Sequence, residues 1–178
     1  MSRIQPVKEE QASDSVKEMY QNLKKALGRV PNIFLNMGNS DAVLSAFMKL
    51  NECAEHTSLP QELREQIALV IAQTNRCDYC LSAHSAIAKS LGIQEPMILQ
   101  ARKGEAPNKK ATAILQFVKQ CVEKKGTLDD REVQALKTEG VTDKELVEII
   151  LLLTLNMFTN YFNKITGTDV DFPLAPKI

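Results

Sequence analysis

The sequence predicts an all-α fold, a multi-helix domain whose Cys-x-x-Cys pair stands at the start of one helix in a central helical hairpin. Three observations carry that expectation. No segment alternates apolar and polar residues over a length that reads as a strand. Apolar residues instead recur at helical spacing through most stretches between Gln11 and Ile165, so each segment has one face to bury. Cap residues, prolines and glycines stand near the ends of those stretches. At 178 residues the chain is one domain by size, 1–178, long enough to bury a substantial core, with its motif-bearing region at about 41–125.

Residues 11–27 carry Val16, Met19, Leu23, Ala26 and Leu27 at a helical period, and Gly28 ends the helix. Pro31-Asn32-Ile33-Phe34 resets the chain. Ser40 or Asp41 caps the next helix, which runs to about His56. Leu59-Pro60 starts another, with Pro60 in the first turn, where its missing N–H costs nothing. That helix runs to about Thr74 and turns Leu63, Ile67, Val70 and Ile71 inward. Asn75-Arg76 is the expected turn and cap, and the Cys-x-x-Cys helix follows to Leu91, stopped by Gly92. Shorter helices are expected at 94–102, 108–125 and 129–138. Thr142-x-x-Glu145 is a capping-box signature for a last long helix reaching about Ile165, whose Phe and Met residues read as core or subunit interface. Residues 167–178, with Pro173 and Pro176, read as an extended tail packed on a neighbour.

The 22 basic and 22 acidic residues cancel and form no dense basic patch, which argues against nucleic acid or an anionic membrane surface as a partner. Small neutral molecules or other proteins fit better. The opening MSRIQPVKEEQ has no apolar stretch of the signal-peptide kind, and an apolar run such as 149–153 is far too short to span a bilayer. The expectation is a cytoplasmic protein without a membrane partner. Four cysteines in a chain this long do not make a disulfide scaffold, and in a reducing compartment a paired Cys-x-x-Cys points to redox or metal chemistry. Cys53 and Cys121, isolated on helices, read as small core residues, and His56 as a partner of its helix's C-terminal dipole.

The chemistry concentrates in Cys77-Asp78-Tyr79-Cys80-Leu81-Ser82-Ala83-His84, with Glu65 twelve residues before the first cysteine. Two thiols three apart can close into a disulfide, and a histidine four residues beyond the second lies one turn away on the same face. A cysteine near a helix start meets backbone N–H groups and the positive end of the helix dipole, which favours thiolate. A hydroperoxide needs a proton on its departing oxygen, and His84 is placed to give one. If the chain reverses at Asn75-Arg76, Glu65 lies ~15 Å back from the turn and His84 ~12 Å beyond it, at similar height on adjacent helices. A carboxylate there orients the imidazole. Competing chemistries rank lower. A c-type haem site needs histidine directly after the second cysteine, where Leu81 stands, and a thioredoxin-like site needs a preceding strand. Zinc is an alternative, with Cys77, Cys80 and His84 as ligands and Glu65 or His56 as a fourth. A non-enzymatic redox sensor or interaction module is a further rival.

Glu65 followed by Cys77-x-x-Cys80-x-x-x-His84 resembles the signature of the alkyl hydroperoxidase D-like branch of the carboxymuconolactone decarboxylase family. Leu59-Pro-x-x-Leu-Arg-Glu65, Asn75-x-Cys77-x-Tyr79-Cys80, the early Val30-Pro31-Asn32, and the late Asn160-Tyr-Phe-Asn163 and Asp171-Phe172-Pro173 are similar to the family's peroxidase-related members. The resemblance implies an all-helical fold assembled into trimers or hexamers. It implies a thiol-dependent hydroperoxidase or disulfide reductase that needs no metal, haem or other cofactor. By position, Cys80 would attack, Cys77 would resolve, and His84 with Glu65 would relay protons. A hydroperoxide would be the substrate and a lipoyl-bearing or thioredoxin-like dithiol the electron donor. Alkyl hydroperoxidase D itself has a second histidine just before the second motif cysteine, where this chain has Tyr79. Members true to the decarboxylase name lack the cysteine pair, which makes a cysteine-independent decarboxylase-like reaction the weaker inheritance.

Overall fold

A computed structural model describes residues 2–178, and among them the chain forms nine α-helices, one short 3-10 turn and no strand. The helices are α1 (Asp14–Leu27), α2 (Asn32–Met37), α3 (Asp41–Glu55), α4 (Gln61–Thr74), α5 (Asp78–Ser90), α6 (Glu95–Lys103), α7 (Lys109–Glu123), α8 (Asp130–Thr138) and α9 (Asp143–Thr166). The helix α4 is the centre of the arrangement, packed against α5, α6, α7 and α9. Its Ile67, Leu69, Val70, Ile71 and Ala72 are wholly buried, more than one face of a helix, because neighbours surround it.

Capping decides most of the boundaries. Ser13 accepts the Val16 N–H at 3.2 Å and starts α1 three residues later than the apolar period alone suggests, while residues 9–11 form the 3-10 turn. Gly28, with φ +75°, closes α1. Thr142 and Glu145 form the expected capping box on α9, and Asp129 with Glu132 forms another on α8.

Two expectations change. The segment after Pro31, read as a simple reset, is the short helix α2. Its first N–H groups find their acceptors far along the chain: Asn32 N–H donates to Asp171 Oδ2 at 3.0 Å and Ile33 N–H to the Tyr79 hydroxyl at 3.3 Å. The tail packs on its own chain. Arg29 pairs with Asp171, the Ala175 N–H donates to Ser82 Oγ at 3.2 Å, and buried Arg102 donates to the Pro176 carbonyl at 2.8 Å. A buried guanidinium needs acceptors, and the tail carbonyl with Gln73 Oε1 at 2.9 Å supplies them.

The last helix is two-faced. By length and composition α9 is the one described helix apolar enough to cross a membrane, with a mean hydropathy of 1.3 over its best window and 28% of that window buried. The continuous run 149–153 is short, but the window around it is apolar enough to pass. Its inward face carries buried Asn156, Asn160 and Asn163, spaced four and three apart, while Val147, Ile150, Tyr161 and Ile165 lie half or more exposed. Asn160 and Asn163 of that polar stripe reach the hinge between α4 and α5 and the first turn of α5.

Candidate redox site

The hinge sets the site. Asn75 is the C-cap of α4, and Arg76 takes a left-handed conformation, φ +53°, where glycine is the usual occupant. The Arg76 N–H donates to Gln73 O at 3.1 Å and the Cys77 N–H to Ala72 O at 2.9 Å, a Schellman closure that turns the chain back on α4. Cys77 therefore ends one helix and begins the next. It is the N-cap of α5, in place of the Asn75 or Arg76 cap expected from sequence, and its own Sγ accepts the Cys80 N–H at 3.3 Å. Sulfur does here what a serine or aspartate oxygen does at an ordinary helix start.

Cys77 and Cys80 are joined in a disulfide, with Cα atoms 5.3 Å apart and exposures of 1% and 2%. On the adjacent turns His84 Nδ1 lies 2.8 Å from Glu65 Oε2, both side chains mostly buried. With Nδ1–H donating to the Glu65 carboxylate oxygen, Nε2 is left to exchange a proton. The hairpin thus brings together the four residues singled out from sequence: the sulfurs on one turn of α5, His84 one turn on, and Glu65 beside it from α4.

Tyr79, between the cysteines, is engaged elsewhere. Its hydroxyl accepts the Ile33 N–H, and its ring meets Phe172 edge-on with centroids 5.7 Å apart. Burial pushes its phenol far above the ordinary tyrosine value. Arg29 stacks over the other partner, its guanidinium 4.6 Å from the Phe172 ring centre, while its second arm donates to the Asp171 carbonyl at 2.9 Å. The stretches 160–163 and 171–173, far apart from it in sequence, reach α5 and the hinge before it, and Asn32 of 30–32 joins them through Asp171.

The asparagine stripe of α9 completes the enclosure. Asn75 Nδ2 donates to Asn160 Oδ1 at 3.1 Å, Lys164 Nζ to Asn75 O at 2.8 Å, and Asn163 Nδ2 to Cys80 Sγ at 3.4 Å. Sequence reasoning marked the 160–163 stretch only for its resemblance to the family's peroxidase-related members, without placing its asparagines in the site. The available signal was three asparagines on one face of an otherwise apolar helix.

The remaining cysteines divide. Cys121 is buried, as expected, and its thiol is pushed up to about 11 by burial and by the charge of Glu132. Cys53 is exposed on α3, against the expectation of a core residue. Among the described residues no group of three or more His, Cys, Asp or Glu side chains is placed to hold a metal ion. An open cleft of about 390 Å³ between α7 and α8 is lined by Gln116, Phe117, Arg131 and Glu132, and a small one of about 60 Å³ lies where the tail crosses Ser85 and Ile98. Neither is lined by the cysteines, His84 or Glu65.

Residues 41–123 match the carboxymuconolactone decarboxylase family. A curated relative, an alkyl hydroperoxide reductase of Mycobacterium tuberculosis, is 26% identical over 93 residues, 52% of this chain. The match spans about a quarter of that relative's length, 27%. An alkylhydroperoxidase core structure from Ralstonia eutropha JMP134, described as a peroxidase-related protein, superposes with a TM-score of 0.86 at 20% identity, covering 96% of this chain and 92% of that one. The debrominase Bmp8, solved in complex with 2,3,4-tribromopyrrole, superposes with a TM-score of 0.81 at 21% identity, covering 96% and 94%. At such identities the structures speak for the fold, which they share over nearly the whole length. Residues 41–123 are thus similar to the carboxymuconolactone decarboxylase family, and the chain as a whole has the all-α alkylhydroperoxidase D-like fold.

Proposed function

We propose that this chain is a thiol-dependent hydroperoxidase with disulfide-reductase chemistry and an antioxidant role. The observation that carries the reading is the placement of Cys77 and Cys80, within bonding distance at the start of α5, beside the His84–Glu65 pair one helical turn on. The name of the Mycobacterium tuberculosis relative supports it. In the cycle His84 Nε2 takes the Cys80 thiol proton, and the thiolate attacks the outer oxygen of a hydroperoxide, ROOH. The O–O bond breaks, sulfur gives up two electrons and keeps the OH as a sulfenic acid, and the alkoxide leaves with a proton from His84 as ROH. Glu65 fixes the ring and its tautomer. The Cys77 thiol then attacks the Cys80 sulfur, the S–S bond forms, and hydroxide leaves with the Cys77 proton as water. An external dithiol, lipoyl-bearing or thioredoxin-like, returns two electrons and two protons by exchange.

Purified protein should consume an organic hydroperoxide over many turnovers when supplied with dihydrolipoamide or thioredoxin, and a Cys80→Ser variant should not. Activity that survives in Cys80→Ser points to decarboxylase-like chemistry in the same fold. A second reading, redox sensing, is favoured by one observation: both sulfurs are buried, and the tail packs on the helix that carries them. One turnover followed by an inert disulfide, with every dithiol supplied, selects that reading. The uncovered apolar face of α9 supports self-association as a trimer or hexamer.

A further inference from the structure

The two sulfurs are held differently. Cys77 Sγ sits at the N-cap of α5 and accepts the Cys80 N–H at 3.3 Å, so the helix start alone would place the negative charge of the reduced pair on Cys77. Cys80 has its backbone N–H turned toward Cys77, and the donor it receives comes from the far end of the chain: Asn163 Nδ2, 3.4 Å from Cys80 Sγ. Asn163 is buried, with an exposure of 4%, and its Oδ1 has no partner. A half-satisfied buried amide destabilises a fold, and leucine would fill the same volume without that penalty. The donor is also held in place. The Asn163 carbonyl accepts the N–H of Gly167, which ends α9 in a left-handed conformation, and the Thr168 N–H at 3.1 Å, so the helix terminus fixes the residue that carries the amide.

We propose that Asn163 is a catalytic residue of the thiol cycle: its amide places the negative charge on Cys80 in preference to Cys77 and so decides which cysteine attacks. This rests on the hydroperoxidase reading only for the identity of the oxidant. A hydrogen bond from a neutral donor favours thiolate over thiol because the charged acceptor gains more from it. The effect is directional, since Asn163 reaches one sulfur and the α5 N-terminus the other.

The test is limiting iodoacetamide on fully reduced protein at about pH 7, with peptide mapping of Cys77, Cys80 and Cys53. The parent should label Cys80 ahead of Cys77. Asn163→Leu, close in volume and lacking the donor, should label Cys80 about tenfold more slowly and shift the first label to Cys77. Asn163→Asp, nearly the same shape, should move labelling the same way, because a carboxylate beside sulfur opposes thiolate. Cys53, exposed on α3, should react equally in all three and calibrate the reagent. Thermal melting of the oxidised proteins checks the fold, and Asn163→Asp carries the test if the leucine variant does not fold. A parent that labels Cys77 first overturns the proposal, as does a Cys80 rate within about twofold of the parent in both variants. Alkylation needs no peroxide. If labelling shifts as stated and the protein consumes no hydroperoxide, the function proposed above falls and the role of Asn163 stands; peroxide turnover with unshifted labelling removes Asn163 alone.

Discussion

Replacing Tyr79 with phenylalanine separates a proton carrier from a strut. The position matches that of a histidine in alkyl hydroperoxidase D, so the question is whether Tyr79 takes part in proton transfer or only packs. The structure assigns it another role. The hydroxyl accepts the Ile33 N–H at 3.3 Å, burial holds its proton in place, and the ring packs edge-on against Phe172. A phenol that keeps its proton and caps α2 carries none for Cys80. Tyr79→Phe retains the ring and the aromatic pair and removes one oxygen. The buried Ile33 N–H then lacks an acceptor, which costs about 1–3 kcal/mol. At about 2–4 °C per kcal/mol for a chain of this size, the melting midpoint should fall by roughly 2–12 °C. Single-turnover peroxide reduction, measured where both proteins are folded, should stay within about threefold, whereas loss of a proton-transfer group removes about 10² to 10⁴ from the rate. A variant that melts with the parent and reacts a hundredfold more slowly refutes the strut and makes Tyr79 part of the relay.

The His84–Glu65 pair should act as one unit: Glu65→Gln and His84→Gln should each slow peroxide reduction by about 10² or more, and the double variant should lose much less than the product, which stopped-flow kinetics with all three will show. Burial raises the folded phenols of Tyr20, to about 12, and of Tyr79. The unfolded chain therefore releases both protons first, so their contribution to stability is whole below about pH 10 and falls by up to about 1.4 kcal/mol per pH unit for each tyrosine as pH rises toward the folded values. Denaturant titrations between about pH 9 and 11 should show that slope, and tyrosinate absorbance appearing for these two residues before unfolding would contradict it. A Cβ at Gly38 would overlap the Tyr20 hydroxyl, which is hemmed in by the Val7, Phe34 and Leu35 carbonyls, so Gly38→Ala should destabilise by about 1–3 kcal/mol and Tyr20→Phe in the same chain should recover part of the loss. For assembly, light scattering should report an oligomer at micromolar concentration, and Ile150→Lys with Ile165→Glu on the exposed face of α9 should reduce it to monomer with the melting profile of the subunit retained.

How far the sequence could be read follows from how local each signal is. Gly28, Ser40 and the Thr142–Glu145 box act within a few residues of where they stand, so α1, α3 and α9 end or begin where those residues imply. The Glu65–His84 contact is one hairpin away and yields to counting residues along two helices. The helix α2 was hidden because its first N–H groups are satisfied by Asp171 and Tyr79, on which nothing in 31–37 reports. Cys77 caps α5 in place of the expected Asn75 or Arg76, and because sulfur is a weak acceptor nothing in the sequence marks it as a cap. The exposure of Cys53 depends on which face of α3 meets α9, a matter of packing that an isolated cysteine does not reveal. Asn160 and Asn163 carry no chemistry in isolation; the hinge and the sulfur give them meaning.

The Asn163 amide, the Phe172 ring and the Ala175 and Pro176 backbone contacts all reach the α4–α5 hairpin and its surroundings from the end of the chain. Synthesis runs from the other end. Eighty-three residues separate Cys80 from Asn163, and a ribosome adding about 5–20 residues per second needs roughly 4–17 s to make them. During that interval the nascent chain carries both thiols without their outer cover. Oxidation then meets an open dithiol, and mixed disulfides with small thiols or with neighbouring nascent chains compete with closure of the pair. Enclosure of the cysteine pair is therefore coupled to synthesis of residues 163–176, and chains that stop short of them keep the pair while lacking the residues that cover it.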